Sequence, residues 1–86
     1  MTWTRSEIRS ARLVPLVPVL QRLGYRLEPA GGDNYRLRLP HPAKVIVIKD
    51  HYWRCPDDGS AGNSIDFFMK IQGLTFHHAM QLLLPS

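Results

Sequence analysis

The stretch that decides the fold runs from Cys55 to Gly73 and reads Cys-Pro-Asp-Asp-Gly-Ser-Ala-Gly-Asn-Ser-Ile-Asp-Phe-Phe-Met-Lys-Ile-Gln-Gly. It begins with two small-residue turns, where Gly59 and Gly62 permit backbone angles that residues with a Cβ avoid. A helix is predicted from Ser64 to Gln72, because apolar residues recur there at helical spacing and polar side chains at its start can accept its first free amides. The final glycine is a natural helix terminator.

Upstream of this stretch, four short segments have strand patterns. Tyr35 to Leu39 alternates apolar and basic residues, and His51 to Cys55 is aromatic and basic. Val45 to Ile48 is a run of four β-branched residues, which predicts a central strand covered on both faces. Tyr25 to Glu28 could form a first strand. The turns between the segments are short, so the pairing should be antiparallel.

Helices are predicted on both sides of these strands. Thr4 to Leu13 begins with the spacing of a capping box, and Leu16 to Leu23 has a buried stripe that stops at a glycine. After the Ser64 helix, Thr75 caps a final helix. The predicted fold class is therefore α+β: a small antiparallel sheet of three to four strands with two N-terminal and two C-terminal helices, forming one domain over residues 1–86. The helices should cover one face of the sheet.

The composition narrows the functional classes. The chain has 86 residues, of which 44% are hydrophobic, and no apolar run approaches membrane-spanning length. There is no signal-peptide pattern, so we expect a cytoplasmic location, and we expect either a complete small protein or a domain cut at its boundary. The single cysteine excludes an internal disulfide. Eleven Lys and Arg against seven Asp and Glu give a net charge of +4, which suits a partner that carries phosphate.

The order of strand, glycine-rich turn and helix resembles the N-terminal zinc-binding domain of DnaG-type bacterial primases, the Cys-His-Cys-Cys class. The matching run is Gly59 to Met69, followed by Gly73 to Ala79, and the similarity extends back to Ile8. It thus covers nearly the whole chain. The resemblance implies a zinc-ribbon-like fold that engages single-stranded template with its sheet and basic edge.

The metal ligands depart from that pattern. Where the family has Cys-Pro-x-His, this chain has Leu39 in place of the cysteine and His41 one position early. Where the family has Cys-x-x-Cys, this chain has Cys55 and Asp58. Structural zinc sites are nearly always closed tetrahedra rich in thiolate. We therefore expect a divergent, metal-free member with no cofactor, in which apolar side chains replace the stabilisation that zinc would give.

The sequence offers no catalytic set. Cys55 lacks a recognisable base and orienting group, and a small buried residue is the simpler interpretation. Asp57 and Asp58 fit a solvated turn better than a magnesium site. The turn before Ser64 could also contact a backbone phosphate through free amides. We expect no enzyme activity and no small-molecule substrate.

Basic and aromatic residues interleave on the strands, and this is the strongest chemical signal. Arg36 and Arg38 share one strand face, and Tyr52 and Arg54 share another. If the register aligns these two faces, one open surface offers guanidiniums for phosphates and a ring for stacking a base. The predicted nucleic-acid-binding residues are Arg36, Arg38, Lys44, Lys49, Tyr52, Trp53 and Arg54.

Together these patterns favour a non-catalytic domain that binds single-stranded DNA with little sequence preference. It would support replication or priming beside a primase, polymerase or helicase, with a mobile genetic element as one setting, and without a membrane. The alternative is a protein-interaction module that docks onto a primase or polymerase and has lost DNA binding. Its anchors would be an exposed Trp3, Phe76 or Met80.

Overall fold

A computed structural model describes residues 2–40 and 43–85 of the chain. Helices α1 (Arg5–Arg12) and α2 (Leu16–Arg22) come first. The remaining elements are β1 (Leu27–Pro29), β2 (Asn34–Pro40), β3 (Ala43–Lys49), β4 (Tyr52–Arg54), β5 (Ala61–Gly62), α3 (Ser64–Asp66), which continues as a π-helix (Phe67–Ile71), and α4 (Phe76–Leu83). The predicted α+β class is confirmed, with one strand more than expected. In the described ranges no helix is long and apolar enough to cross a membrane.

The five strands form one antiparallel sheet in chain order, β1 to β5. Directly paired residues point to the same face of an antiparallel sheet. The register therefore defines an inner face, on which Leu37 lies beside Ile46 and Ile48 beside Trp53, and an opposite, outer face. The inner face carries the buried core, which it shares with residues of α1, α2, α3, the π-helix and α4.

Strand β3 is covered on one face only, which corrects the prediction from its β-branched run. Ile46 and Ile48 are fully buried on the inner face. Val45 and Val47 are half-buried on the outer face, because no described helix lies against them. A β-branched side chain suits a half-buried pleated surface as well as a buried one, so the run alone could not distinguish the two cases.

The second glycine turn contains the strand that the sequence did not indicate. Ala61 and Gly62 pair with Arg54 and Trp53 as β5. Gly59 has a φ of 76°, as its turn was predicted to require. Gly62 is needed for a different reason, since a Cβ there would lie 2.5 Å from the Cβ and the Oδ2 of Asp66. The close approach of strand and helix thus demands a glycine.

The helix that follows is fixed at its start by a reciprocal cap. The Asp66 amide donates to Asn63 Oδ1 and the Asn63 amide donates to Asp66 Oδ2, both at 3.1 Å. The buried Ser64 hydroxyl donates to the Val14 carbonyl, which ties this helix to the segment between α1 and α2. The predicted helix changes to π geometry at Phe67, and Phe67 and Phe68 both lie in the core.

The predicted N-terminal caps of α1 and α4 are confirmed. Thr4 and Glu7 form the capping box of α1, with the Glu7 amide 3.0 Å from Thr4 Oγ1 and the Thr4 amide 2.9 Å from Glu7 Oε1. Thr75 Oγ1 accepts from the His78 amide at the start of α4. Each helix begins or ends within about two residues of its predicted limit, the usual uncertainty of helix ends.

Candidate nucleic-acid interface

The register aligns the two predicted basic faces. Arg36 pairs with Val47, and Val47 pairs with Arg54, so these three side chains form one row across the outer face, in which Glu28 lies directly beside Arg36. Lys49 and Tyr52 pair in the neighbouring row. The residues of β2, β3 and β4 on this face are Asn34, Arg36, Arg38, Pro40, Ala43, Val45, Val47, Lys49, Tyr52 and Arg54. The arginines of β2 and the Tyr52 and Arg54 side chains of β4 therefore share one face of the sheet.

The outer face combines an exposed ring with an apolar floor. Tyr52 is 48% exposed, so much of its side chain is open to solvent. Beside it lies a shallow depression of about 160 Å³ whose lining includes Asn34, Val47, Lys49 and Arg54. A flat ring next to a depression rimmed by cations can receive a planar base and the phosphates on either side of it.

Positive charge on this face is only partly neutralised. Within the described ranges, Arg36, Lys49 and Arg54 take part in no ion pair. Arg38 does, with its Nε 2.7 Å from Glu28 Oε1. The two side chains are 62% and 47% exposed, so the pair is a weak surface contact that a phosphate could replace. Glu28 is the one acidic residue among the described strand residues of the outer face.

Trp53 belongs to the core and is removed from the predicted contact set. Only 1% of the residue is exposed, and its Nε1 donates to the Asn63 carbonyl at 2.9 Å. Its ring meets Phe67 edge to face, with centroids 6.0 Å apart. Strand alternation explains the placement, because a residue between Tyr52 and Arg54 must point to the opposite face. A nucleic acid on the outer face cannot reach this indole.

Lys44 is also removed from the set. It pairs with Leu39 in the register and so lies on the side of Ile46 and Ile48, not with the outer arginines. Its Nζ is 3.3 Å from Asp58 Oδ2. This ion pair joins the start of β3 to the turn after β4.

The turn from Cys55 to Ser60 is closed by its own hydrogen bonds. The Cys55 amide donates to the Ser60 carbonyl and the Gly59 amide to the Cys55 carbonyl, both at 2.8 Å. Asp58 Oδ1 accepts from the Ser60 amide at 2.8 Å and from its hydroxyl at 2.6 Å. These Ser60 hydrogen bonds, and then the Lys44 ammonium, hold the pKa of Asp58 well below its ordinary value of 3.8.

The donor set does not fit a structural zinc ion. Leu39 offers no ligand atom, Cys55 is one fully buried thiol, and the Asp58 carboxylate already faces an ammonium group. His41 lies outside the described residues. Among residues 2–40 and 43–85, no three His, Cys, Asp or Glu side chains are grouped to hold a metal. Absence of zinc stays a prediction, and it now rests on the chemistry of these side chains.

Two other expectations change with the structure. The amides of Ser60, Asn63 and Asp66 donate to side chains of the same turn, so they are not free for a phosphate. The proposed protein-binding anchors are covered to different extents. Met80 is fully buried and Phe76 is half-buried. Trp3 is also half-buried, and its ring centroid lies 5.7 Å from that of His77.

No protein-family model matches this chain, and no curated protein matches it.

Proposed function

We propose that this domain binds single-stranded DNA on the outer face of its sheet, with little preference for sequence. The observation that carries the proposal is the row of Arg36, Val47 and Arg54, with Tyr52 exposed in the adjacent row. The face is open and cationic, and it presents a ring. Sequence-tolerant single-strand binders combine these same features.

The arginines are suited to the phosphates. A guanidinium presents a planar fork of donors that matches phosphate oxygens and keeps its charge at every physiological pH. Arg36 and Arg54 lie two strands apart, which at about 4.8 Å per strand places their backbones about 10 Å from each other. A DNA strand lying across the sheet could contact both arginines. Lys49 would supply a third cation, and Arg38 would supply a fourth after its ion pair with Glu28 breaks.

Tyr52 supplies the contact to a base. A base stacked on an aromatic side chain typically gains about 1–3 kcal/mol, and every base has a face that can stack. The described residues of the outer face include no row of amide or carboxylate side chains that could read base edges, since Asn34 and Glu28 lie in different rows. Weak sequence preference follows from this chemistry.

The biological setting is inferred from the resemblance to the primase zinc-binding domain. We infer a non-catalytic accessory role in replication or priming, beside a primase, polymerase or helicase. The Lys44–Asp58 pair and the closed Cys55–Ser60 turn support the idea that this chain keeps the fold without the metal.

The experiment is a titration of fluorescently labelled oligothymidylate at several salt concentrations. The logarithm of the association constant should fall linearly with the logarithm of salt, and each lost phosphate contact should reduce the slope by about 0.7. Arg36→Ala with Arg54→Ala should weaken binding and flatten the slope. The matched control is Arg22→Ala with Lys70→Ala, which removes the same charge from exposed positions off the sheet.

Equal effects of the two double variants would show that only overall charge matters and would overturn the proposal. Absence of binding at low salt would favour the protein-interaction alternative instead. The described ranges offer such a partner an apolar groove between α2 and the end of α4, whose lining includes Val14, Pro18, Val19 and Leu83.

A further inference from the structure

Helix α1 carries a second concentration of positive charge. Arg5, Arg9 and Arg12 follow one another at helical spacing, are all exposed, and line a groove of about 280 Å³ together with Ile8. Glu7 is the single acid of the helix, and its carboxylate accepts the Thr4 amide in the capping box. Within the described ranges none of the three arginines forms an ion pair.

This arginine groove is separate from the outer face of the sheet. Helix α1 packs against α3 and α4, and both of those helices contribute to the core on the inner side of the sheet. The groove therefore lies in the helical layer. A ligand bound to the row of Arg36 and Arg54 does not lie over it.

Helix stability does not account for the arginines. Arg5 is the first residue of α1, next to the positive end of the helix dipole, where a cation is unfavourable. Arg5 and Arg9 are also four residues apart, a spacing at which like charges destabilise a helix. Arg9 and Arg12 do suit the last turn. The unfavourable placement of Arg5 is thus the feature that needs another explanation.

The chemistry of the exposed helix face fits phosphate. All three cations are arginines, whose forks match phosphate oxygens. Arginine is a typical donor to nucleic-acid backbones. At 1.5 Å per residue the arginines extend about 10 Å along the axis, which is long enough to meet more than one phosphate.

We propose that the arginine groove of α1 is a second binding surface for nucleic-acid phosphates. The domain would then hold two segments of polynucleotide at once, one on the outer face of the sheet and one on the helical layer. A lipid surface fits less well, since the apolar side of α1 is packed against other helices and is not open to insert among lipids. The surface on α1 stands on its own observations, apart from those that support the sheet.

The decisive variant is Arg5→Glu, because stability and binding should change in opposite directions. A glutamate at this position interacts favourably with the helix dipole and stands four residues before Arg9. The melting temperature should therefore rise, while affinity for a long oligothymidylate should fall by about five-fold or more at low salt. Arg22→Glu, with the same change of charge on α2, should reduce affinity by less than about two-fold.

Each outcome decides the matter. A stabilised Arg5→Glu protein that binds as tightly as Arg22→Glu would overturn the second surface. So would equal competition by polyglutamate and oligothymidylate for the Arg5-dependent binding, since the groove would then accept any polyanion, including an acidic protein. Combining Arg5→Glu with Arg36→Ala and Arg54→Ala separates the two surfaces. If affinity falls with Arg5→Glu but not with Arg36→Ala and Arg54→Ala, the surface on α1 is supported and the proposed binding on the sheet is overturned.

Discussion

Arg36 and Arg54 lie on the same face of the sheet and flank Val47 in a single cross-strand row. Neither guanidinium is paired with a carboxylate within the described ranges. Two unpaired cations above a shared valine create a positive strip across three strands, and Tyr52 borders it in the next row. DNA binding should therefore depend on this positive strip and on the residues that border it.

Tyr52 should matter more for binding than for folding. Tyr52→Ala should weaken binding of single-stranded DNA by about 1–3 kcal/mol, since the stacked ring is lost. Tyr52→Phe keeps the ring and should bind nearly as well as the original chain. Because the residue is 48% exposed, urea unfolding of Tyr52→Phe should lie within about 0.5 kcal/mol of the original, and Tyr52→Ala should cost about 1 kcal/mol through lost strand preference. Equal binding by the alanine and phenylalanine variants would remove stacking from the account.

Glu28 should restrain binding, because it holds Arg38 and is the acid on the outer face. Glu28→Gln should raise affinity at low salt, and the gain should shrink as salt increases. The cost in unfolding free energy should be about 0.2–1 kcal/mol, the usual value of an exposed pair. Asp57→Asn makes the same change of charge on the exposed turn after β4, and it should give a smaller gain. Equal gains would mean that Arg38 has no specific part.

Asp58 should give the fold a dependence on acid pH. Its pKa is lowered by hydrogen bonds from Ser60 and then by Lys44, so its stabilising contribution is complete above its ordinary value of 3.8. That contribution is lost as the pH falls below 3.8 towards the lower pKa of the folded state. The difference in unfolding free energy between the original chain and Asp58→Asn should therefore shrink on acidification, as urea titrations at a series of pH values would show. A difference that stays constant on acidification would contradict this role of Asp58.

Zinc should be dispensable. The purified protein should contain far less than one equivalent of zinc by elemental analysis, and a chelator should leave its melting temperature unchanged. Leu39 carries no ligand atom, and the Asp58 carboxylate already faces the Lys44 ammonium, so these two positions do not suit a thiolate-rich zinc site. One equivalent of zinc, lost together with the fold on chelation, would contradict the prediction.

The face that each strand residue occupies could be predicted from the sequence, whereas the neighbours across strands could not. Alternation within β2 and β4 placed Arg36 with Arg38 and Tyr52 with Arg54. The same alternation already separated Trp53 from Tyr52 and Arg54, and applying it strictly would have kept Trp53 out of the predicted set. Alternation also separated Lys44 from Lys49, but only the register shows that Lys44 lies on the face opposite Arg36 and Arg54. Register depends on turn geometry and on packing of the inner face, which a single segment does not record.

Other features depend on contacts between distant parts of the chain. β5 has only two residues in a stretch rich in turn formers, and it becomes a strand because Trp53 and Arg54 offer it partners. The ion pair of Lys44 and Asp58 spans fourteen positions. The arginines of α1 were visible in the sequence, but their common groove became clear only with the helix packed.

Amide chemical-shift mapping by nuclear magnetic resonance, with labelled protein and oligothymidylate added to saturation, would locate the bound DNA on the domain. DNA bound on the outer face should produce large shifts on strands β2 to β4, centred on Arg36, Val47, Tyr52 and Arg54. Saturated binding that leaves the amides of these three strands unmoved would contradict binding on the outer face.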